Sequence, residues 1–291
     1  MNRSIYTYLC LLLMAISCTP ALAARRQNDT DHVLRVGLAG GGTYHLTPNE
    51  CQMKSKIGAT GAIAVDYAFY KSLRKIDLGL RTGLDLGYQL SPYQAEFEHH
   101  FSNQDYLGNQ MDYTTSGTAE IAHQQLLASI PLMFALRSNG FVWNIGARVQ
   151  AAVYQMGKQQ LSNPTITAYY PAFGVSITNE LITGLVAEEQ LSSDISFPSL
   201  GIECMAATEI GYEYAFRNSN AIGVMAYLNV GLWGTRAEAT DKPIISVAPI
   251  TDGNNPVPEV SVNDAYHSLL NSYMPLRFGV KVYYAFNLTT K

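Results

Sequence analysis

The chain has 291 residues, 19 of them Lys or Arg and 23 Asp or Glu, for a formal charge of −4, and 47% of its residues are hydrophobic. That small acidic excess gives a nucleic-acid backbone little to bind. No uninterrupted apolar run of about 20 residues offers a membrane-spanning helix, so the chain is either soluble after export or crosses a membrane as strands.

Asn2 and Arg3 form a weakly basic start, Leu9 to Ile16 a short apolar core, and Ala21-Leu22-Ala23 a small-x-small cleavage site. Residues 1–23 therefore read as a secretory signal peptide, and 24–32 as a short periplasmic segment before the first strand. The competing reading takes Ala15-Ile16-Ser17-Cys18 as a lipoprotein signal with Cys18 acylated.

Eight alternating stretches follow. Leu34, Val36 and Leu38 open the first, which runs into Gly40-Gly41-Gly42. No Lys-Ser or Lys-Thr and no helix pattern follows the glycines, so they are expected to mark a bulge or a close backbone approach rather than a phosphate loop. Ile57, Ile63, Val65, Tyr67 and Phe69 mark the second strand. In the third, Ile76, Leu78, Leu80, Leu84 and Leu86 oppose Asp77, Arg81 and Asp85. Leu126, Ile130, Leu132, Phe134 and Leu136 give the fourth, with Pro131 on its inner face, where a bulge or bend is expected. Phe141, Trp143, Ile145, Ala147, Val149 and Val153 oppose Asn144, Arg148 and Gln150 in the fifth. Ile202, Ile210, Tyr212, Tyr214 and Phe216 mark the sixth opposite Glu203, Glu209 and Glu213. Ile222, Val224, Leu228, Val230 and Leu232 form the seventh. Leu276, Phe278, Val280, Val282, Tyr284 and Phe286 oppose Arg277, Gly279 and Lys281 in the eighth.

Their connections alternate in length. Residues 70–75, 138–140 and 217–220 are short and turn-like, whereas 45–56, 91–122, 157–200 and 234–274 are long. This is the wiring of an eight-stranded antiparallel up-and-down transmembrane β-barrel spanning 33–288, all-β, with four long extracellular loops and a periplasmic tail at 289–291. The aromatic residues Tyr67, Phe69, Phe141, Trp143, Tyr214, Phe216, Tyr284 and Phe286 fall near the short turns on the lipid-facing parity, as an interfacial girdle would. The opposite parity gathers Arg35, Asp66, Asp77, Arg81, Asp85, Arg137, Arg148, Glu203, Glu209, Glu213, Arg277 and Lys281. Six acids and six bases suit the filled lumen of a narrow barrel, as a network of ion pairs rather than a catalytic pair. A secreted β-sandwich is the rival fold, with the two faces exchanged, but strands of a dozen residues, aromatic ends and alternating connections weigh against it.

The signal peptide, the strand-turn pattern, Ile130-Pro131-Leu132 within a strand and the aromatic terminal strand resemble the small outer-membrane β-barrel proteins common in Bacteroidetes-type bacteria, of OmpX- or OmpA-barrel-like architecture. Arg277-x-Gly279-x-x-Val282-x-Tyr284 resembles the signal read by the barrel-assembly machinery, although Asn287 to Lys291 extend past the terminal aromatic. The resemblance implies an outer-membrane location in a Gram-negative cell, outer-membrane lipid and the assembly machinery as partners, and no cofactor.

Function is less legible. Asp264, His267 and Ser268 have the residue types of a hydrolytic triad, and His99, His100 or His123 could serve a lipid hydrolase, but sequence proximity does not make a triad. Glu96 and Glu98 beside His99-His100 lack the spacing of a zinc motif. Cys51 and Cys204 read as unpaired. Ile166, Tyr169, Tyr170, Phe173, Val175, Ile177, Leu181, Ile182, Leu185 and Val186 are too apolar for a tether, so the third loop should fold. The fourth carries Ile244, Ile245, Val247, Pro249 and Ile250, followed by the turn-rich stretch 252–256, and these third- and fourth-loop segments should either pack together as a cap or extend the strands above the membrane. Tyr169, Tyr170 and Phe173 form the candidate surface for an extracellular protein or glycan. The expectation is a non-enzymatic barrel with a plugged lumen, acting in surface interaction or envelope integrity. A narrow solute channel, a lipid-modifying hydrolase and a soluble sandwich are the alternatives.

Overall fold

The computed structural model describes residues 30–48, 52–73, 76–104, 108–179, 191–197, 201–216, 219–232, 235–236, 242–248, 259–270 and 272–289. The predicted signal peptide, Cys18 and Cys51 lie outside the described residues, as do Leu181, Ile182, Leu185, Val186, Pro249, Ile250 and the turn-rich stretch 252–256.

In chain order the strands are β1 (Thr30–Leu46), β2 (Met53–Ser55), β3 (Gly58–Leu73), β4 (Ile76–Gln104), β5 (Gln110–Ser138), β6 (Phe141–Tyr170), β7 (Val175–Thr178), β8 (Leu191–Ile195), β9 (Ile202–Ala215), β10 (Ala221–Gly231), β11 (Thr235–Arg236), β12 (Ile245–Ala248), β13 (Glu259–Val262) and β14 (Ser272–Asn287). One short helix, α1 (Ala265–Leu269), precedes β14. Eight of the strands pair antiparallel in the order β1-β3-β4-β5-β6-β9-β10-β14, and β14 returns to β1 from Val33↔Asn287 to Leu46↔Met274. The sheet thus closes into a ring and leaves no open edge there. Both described chain ends lie with the short turns: Thr30 pairs with Lys71, and Ala221 with Ala285.

The turn at Asn139-Gly140 shows why the hairpins are tight. Both residues have positive φ, 49° and 84°, the backbone that a two-residue hairpin needs and that Asn-Gly supplies. The triple glycine of β1 forms no bulge, because its register to β3 and to β14 is unbroken. Backbones do approach closely there. A Cβ on Gly41 would stand 2.0 Å from the Phe278 carbonyl oxygen, whereas one on Gly40 meets nothing within 4 Å. Pro131 faces inward without a bulge toward β4. The ladder lapses between Thr82↔Leu132 and Asp85↔Ser129 and resumes in the same register, as a missing N–H dictates. The register shifts of β5 against β6 lie elsewhere, at Leu126/Leu127 and Ser116/Thr118.

Around the ring the apolar parity faces out. Val36, Leu38, Ile63, Val65, Leu80, Leu84, Leu86, Ile130, Leu132, Ile145, Val149, Ile210, Val224, Leu228, Val280 and Val282 are all exposed. The opposite parity is buried inside the ring and carries the charges. Toward the short turns, Val33, Ala68, Tyr70, Ala135, Val142, Met225, Tyr283 and Ala285 close the interior.

The long connections are folded rather than plain loops, as expected for 157–200 and 234–274 but not for 45–56 and 91–122. Residues 91–122 continue β4 and β5 as one hairpin, paired out to Gln104↔Gln110. Much of 157–200 continues as β6, flanked by β7 and β8. Within 45–56, β2 pairs with β4. The physical reason is an inversion of the apolar face. Up to Tyr88 on β4 the apolar residues point outward; beyond Pro92, Tyr93, Ala95 and Phe97 point inward, while Glu98 and His100 are exposed. Against this inner face pack Ile244, Ile245 and Val247 with Ala265, Tyr266, Leu269 and Leu270, and Met111, Tyr113, Ile121, Leu161 and Ile166 complete a second core above the ring.

Candidate functional site: a filled lumen beneath a folded cap

Alternation places one inward side chain per two residues on every strand, so the ring meets itself across a narrow interior. At its centre, Arg81 of β4 donates from Nη2 to Asp66 Oδ2 of β3 at 2.7 Å and from Nη1 to Glu209 of β9. Lys281 of β14 reaches the same Asp66 oxygen at 2.5 Å. Arg148 of β6 pairs with Asp85 and lies 3.4 Å from Glu209 Oε1. Five strands therefore converge on one ionic hub.

A second pair lies above the hub. Arg277 Nη2 stands 3.1 Å from Glu203 Oε2, which also accepts from Gln150 at 2.8 Å. Tyr273 donates to the other Glu203 oxygen at 3.2 Å. Below the hub, Arg35 donates to Glu213 Oε1 at 2.6 Å, and Tyr283 donates to that oxygen at 2.9 Å. Nearest the short turns, Arg137 bridges Asp31 at 2.8 Å and Asp77 at 2.9 Å, half-buried over the Tyr70 ring. All twelve residues singled out from sequence take part in these pairs, and Asp31, absent from that set, joins them. Charges this deep are tolerated because each has a partner of opposite sign.

Within the filling is a cavity of about 50 Å³ whose border includes Asp85, Arg148, Glu209, Tyr227, Asn229 and Lys281. At about 10–15 Å³ per water on this measure, it has room for a few waters. Asp85 Oδ1, Asn229 Oδ1 and Arg148 Nε have no protein partner, and cavity water would satisfy them.

The outer mouth of the lumen is closed by aromatic and imidazole rings. His45 of β1 stacks on Tyr273 with centroids 4.4 Å apart and bonds through Nδ1 to the Tyr93 hydroxyl. Tyr266 of α1 meets Tyr93 edge-on at 5.5 Å and is hydrogen-bonded to Tyr93 and Tyr273. Burial pushes the Tyr266 phenol above its ordinary range, so it remains a neutral hydroxyl. His123, inward on β5, stacks on Phe197 at 4.3 Å.

The triad candidates resolve into a helix cap. Asp264 is the N-cap of α1, with Oδ1 accepting from the Tyr266 and His267 backbone amides at 2.9 and 3.2 Å, and Oδ2 lying 2.5 Å from His267 Nδ1. Ser268 Oγ donates to the Asp264 and Lys242 carbonyls, at 2.8 and 3.3 Å. His99 and His100 are consecutive strand residues and face opposite sides of β4. The His100 ring bonds Thr114 at 2.9 Å and lies 3.4 Å from Glu98. Among the described residues no group of three His, Cys, Asp or Glu is arranged to hold a metal. Cys204 is half-buried on β9 with a free thiol.

The aromatic residues expected near the short turns all lie on the outer face. Tyr214, Phe216, Tyr284 and Phe286 form a continuous run of ring contacts at 4.7–6.2 Å. At the far end of the molecule, Tyr169 on β6 and Phe173 in the turn after it are 41% and 68% exposed, and Tyr170 is half-buried against the second core. Sequence reasoning missed His45, Tyr93, Tyr266 and Tyr273 as the closure of the mouth. His45 and Tyr273 sit on the inward parity of strands it had already identified, so extending those strands one turn of the alternation further would have found them.

No helix of the described residues is long and apolar enough to cross a membrane, which leaves crossing by strands untouched. No protein-family model and no curated protein matches the chain. Among solved structures, the outer membrane protease OmpT of Escherichia coli is similar at 9% identity and a TM-score of 0.26, over 89% of this chain and 96% of that one.

Proposed function

We propose that this chain is an integral outer-membrane β-barrel protein of a Gram-negative bacterium, without enzymatic activity, whose lumen is plugged and whose extracellular part serves surface interaction or envelope integrity. The observation that carries the reading is the outward apolar face of a closed ring that holds its charges inside, the inverse of a water-soluble protein. Lipid is the solvent that this face suits. The inward-facing second core beyond Pro92 then marks the emergence of β4, β5 and β6 into water, where the apolar face must turn in.

The test is migration of outer-membrane fractions on denaturing gels with and without heating: a folded barrel runs as a compact species that shifts on boiling. Recovery of the mature chain as a detergent-free monomer in buffer would sink the reading. For the surface role, Tyr169 and Phe173 are the exposed aromatic anchors, and a protein or glycan is the expected partner class. Removing the 170–179 hairpin tip should abolish partner capture and leave the heat-shifted band intact. A narrow channel is the second reading, favoured by the cavity beside Arg148 and Lys281. Stepwise conductance in planar bilayers would establish the channel, and a silent bilayer the plug.

A further inference from the structure

Three imidazoles from three elements converge beneath α1. His123 of β5 lies between Phe197 and Tyr266, with centroids 4.3 and 5.3 Å away. His267 of α1 lies 5.5 Å from the same Phe197 ring. His45 of β1 lies on the other side of Tyr93, 5.5 Å from that ring. His123 is 1% exposed; its Nε2 is 3.2 Å from Gln155 Oε1, and its Nδ1 is buried without a partner. From these features we infer that α1 and Phe197, two residues past the end of β8, form a proton-operated lid over the outer mouth of the lumen.

Among the described residues, no carboxylate stands free to receive a charged His123. From α1, Asp264 is engaged by His267 and by two backbone amides. From β9, Glu203 is engaged by Arg277, Gln150 and Tyr273. From β14, Arg277 is a fixed positive charge, and burial together with that charge holds the His45 imidazole of β1 well below its ordinary range, hence neutral; from α1, the His267 ring opposes rather than favours a positive charge on His123. From β4 and β14, Tyr93 and Tyr273 contribute neutral hydroxyls, and from β6 Gln155 contributes a neutral amide. A proton on His123 therefore enters a dry aromatic sandwich with no counter-charge beside it.

Burial holds the His123 imidazole down at about 4, against 6.5 ordinarily. The sign follows directly. Above pH 6.5 the ring is neutral whether the lid is closed or open. Between 6.5 and 4 the open form takes the proton and the closed form does not, so closure weakens steadily as pH falls through that window. Below 4 both forms are protonated and the loss is complete. By pH 4.5 this favours the open form by about 50-fold relative to pH 7.

Lid opening would be read by hydrogen–deuterium exchange of the full mature protein in detergent micelles, at pH 7 and 4.5, with rates corrected for the intrinsic pH dependence of amide exchange. Peptides covering 259–270 should lose protection by tens-fold, while those covering β10 stay unchanged. His123→Gln, which keeps a partner for Gln155, and His123→Phe, which keeps the stack on Phe197, should both abolish the pH response. Equal protection of 259–270 in the wild type at the two pH values overturns the lid, as does an unchanged response in both variants. If both variants are unprotected already at pH 7, the wild-type profile decides: a midpoint between 4 and 6.5 supports the lid, and a flat profile rejects it.

Discussion

Arg81 and Arg137 are both ion-paired arginines on inward parity, yet their surroundings make them energetically unlike. Arg81 is buried between Asp66 and Glu209, whereas Arg137 is half-exposed beside the turns. Removing one partner of a buried pair strands the other without water, at about 3–5 kcal/mol, while an exposed pair contributes about 0–1 kcal/mol. Arg81→Met should therefore lower the urea midpoint of the lipid-reconstituted protein strongly, toward the smaller end of the first range because Lys281 and Arg148 still face the two carboxylates. Arg137→Met removes a half-buried pair that water still reaches and should lower that midpoint by much less. Equal midpoints for the two variants would show that the hub is wet. The glycines of β1 divide in the same way. Gly41→Ala drives a methyl into the Phe278 carbonyl and should cost about 1–3 kcal/mol, whereas Gly40→Ala points into open space and should be neutral in the same titration.

At the scale of elements, alternation made the ring strands legible, because every second residue between the outer face and the lumen changes character. The same rule hid the upper halves of β4, β5 and β6. On β4 the apolar side moves from Leu86 and Tyr88 to Tyr93, Ala95 and Phe97 with no bulge, so a reader following one parity sees the strand stop where only its surroundings change. The cap was partly visible: Ile244, Ile245 and Val247 were expected to pack or to extend the strands, and they pack. Their docking against Ile121 and Leu161 was not visible, because those residues lay in segments expected to be loops. The twelve lumen residues were legible from parity, whereas their partners depend on the cross-ring register, which no local pattern carries. This division predicts separable stabilities. Leu270 is fully buried in the second core, so Leu270→Asp should unfold the cap, at about 3 kcal/mol or more for a buried unpaired charge. Limited proteolysis of whole cells should then cleave within 242–270, while the heat-shifted gel band persists. Loss of both together would mean that cap and ring fold as one unit.

For the whole molecule, the decisive quantity is which solvent the outer face meets. In water, the exposed Leu, Ile and Val side chains around the ring would be an aggregation surface far larger than a soluble monomer tolerates. In lipid, the same surface is the favourable one, and the filled lumen becomes the interior that holds eight strands to a common register. The two settings give opposite signs for one substitution. Leu132 lies midway along the ring portion of β5, outward and 57% exposed, between Thr82 on β4 and Ala147 on β6. Leu132→Arg places a guanidinium at mid-height of the apolar belt, where it should destabilise the bilayer-inserted protein by about 2–4 kcal/mol. The same change at Glu98, exposed on β4 beyond the inversion, should cost nothing measurable, since Glu98→Arg stays in water. Reversible unfolding in phospholipid vesicles compares the two directly. If Leu132→Arg proved neutral or raised the unfolding midpoint, the belt would not be facing hydrocarbon, and the ring would have to be read as a soluble shell around a polar core.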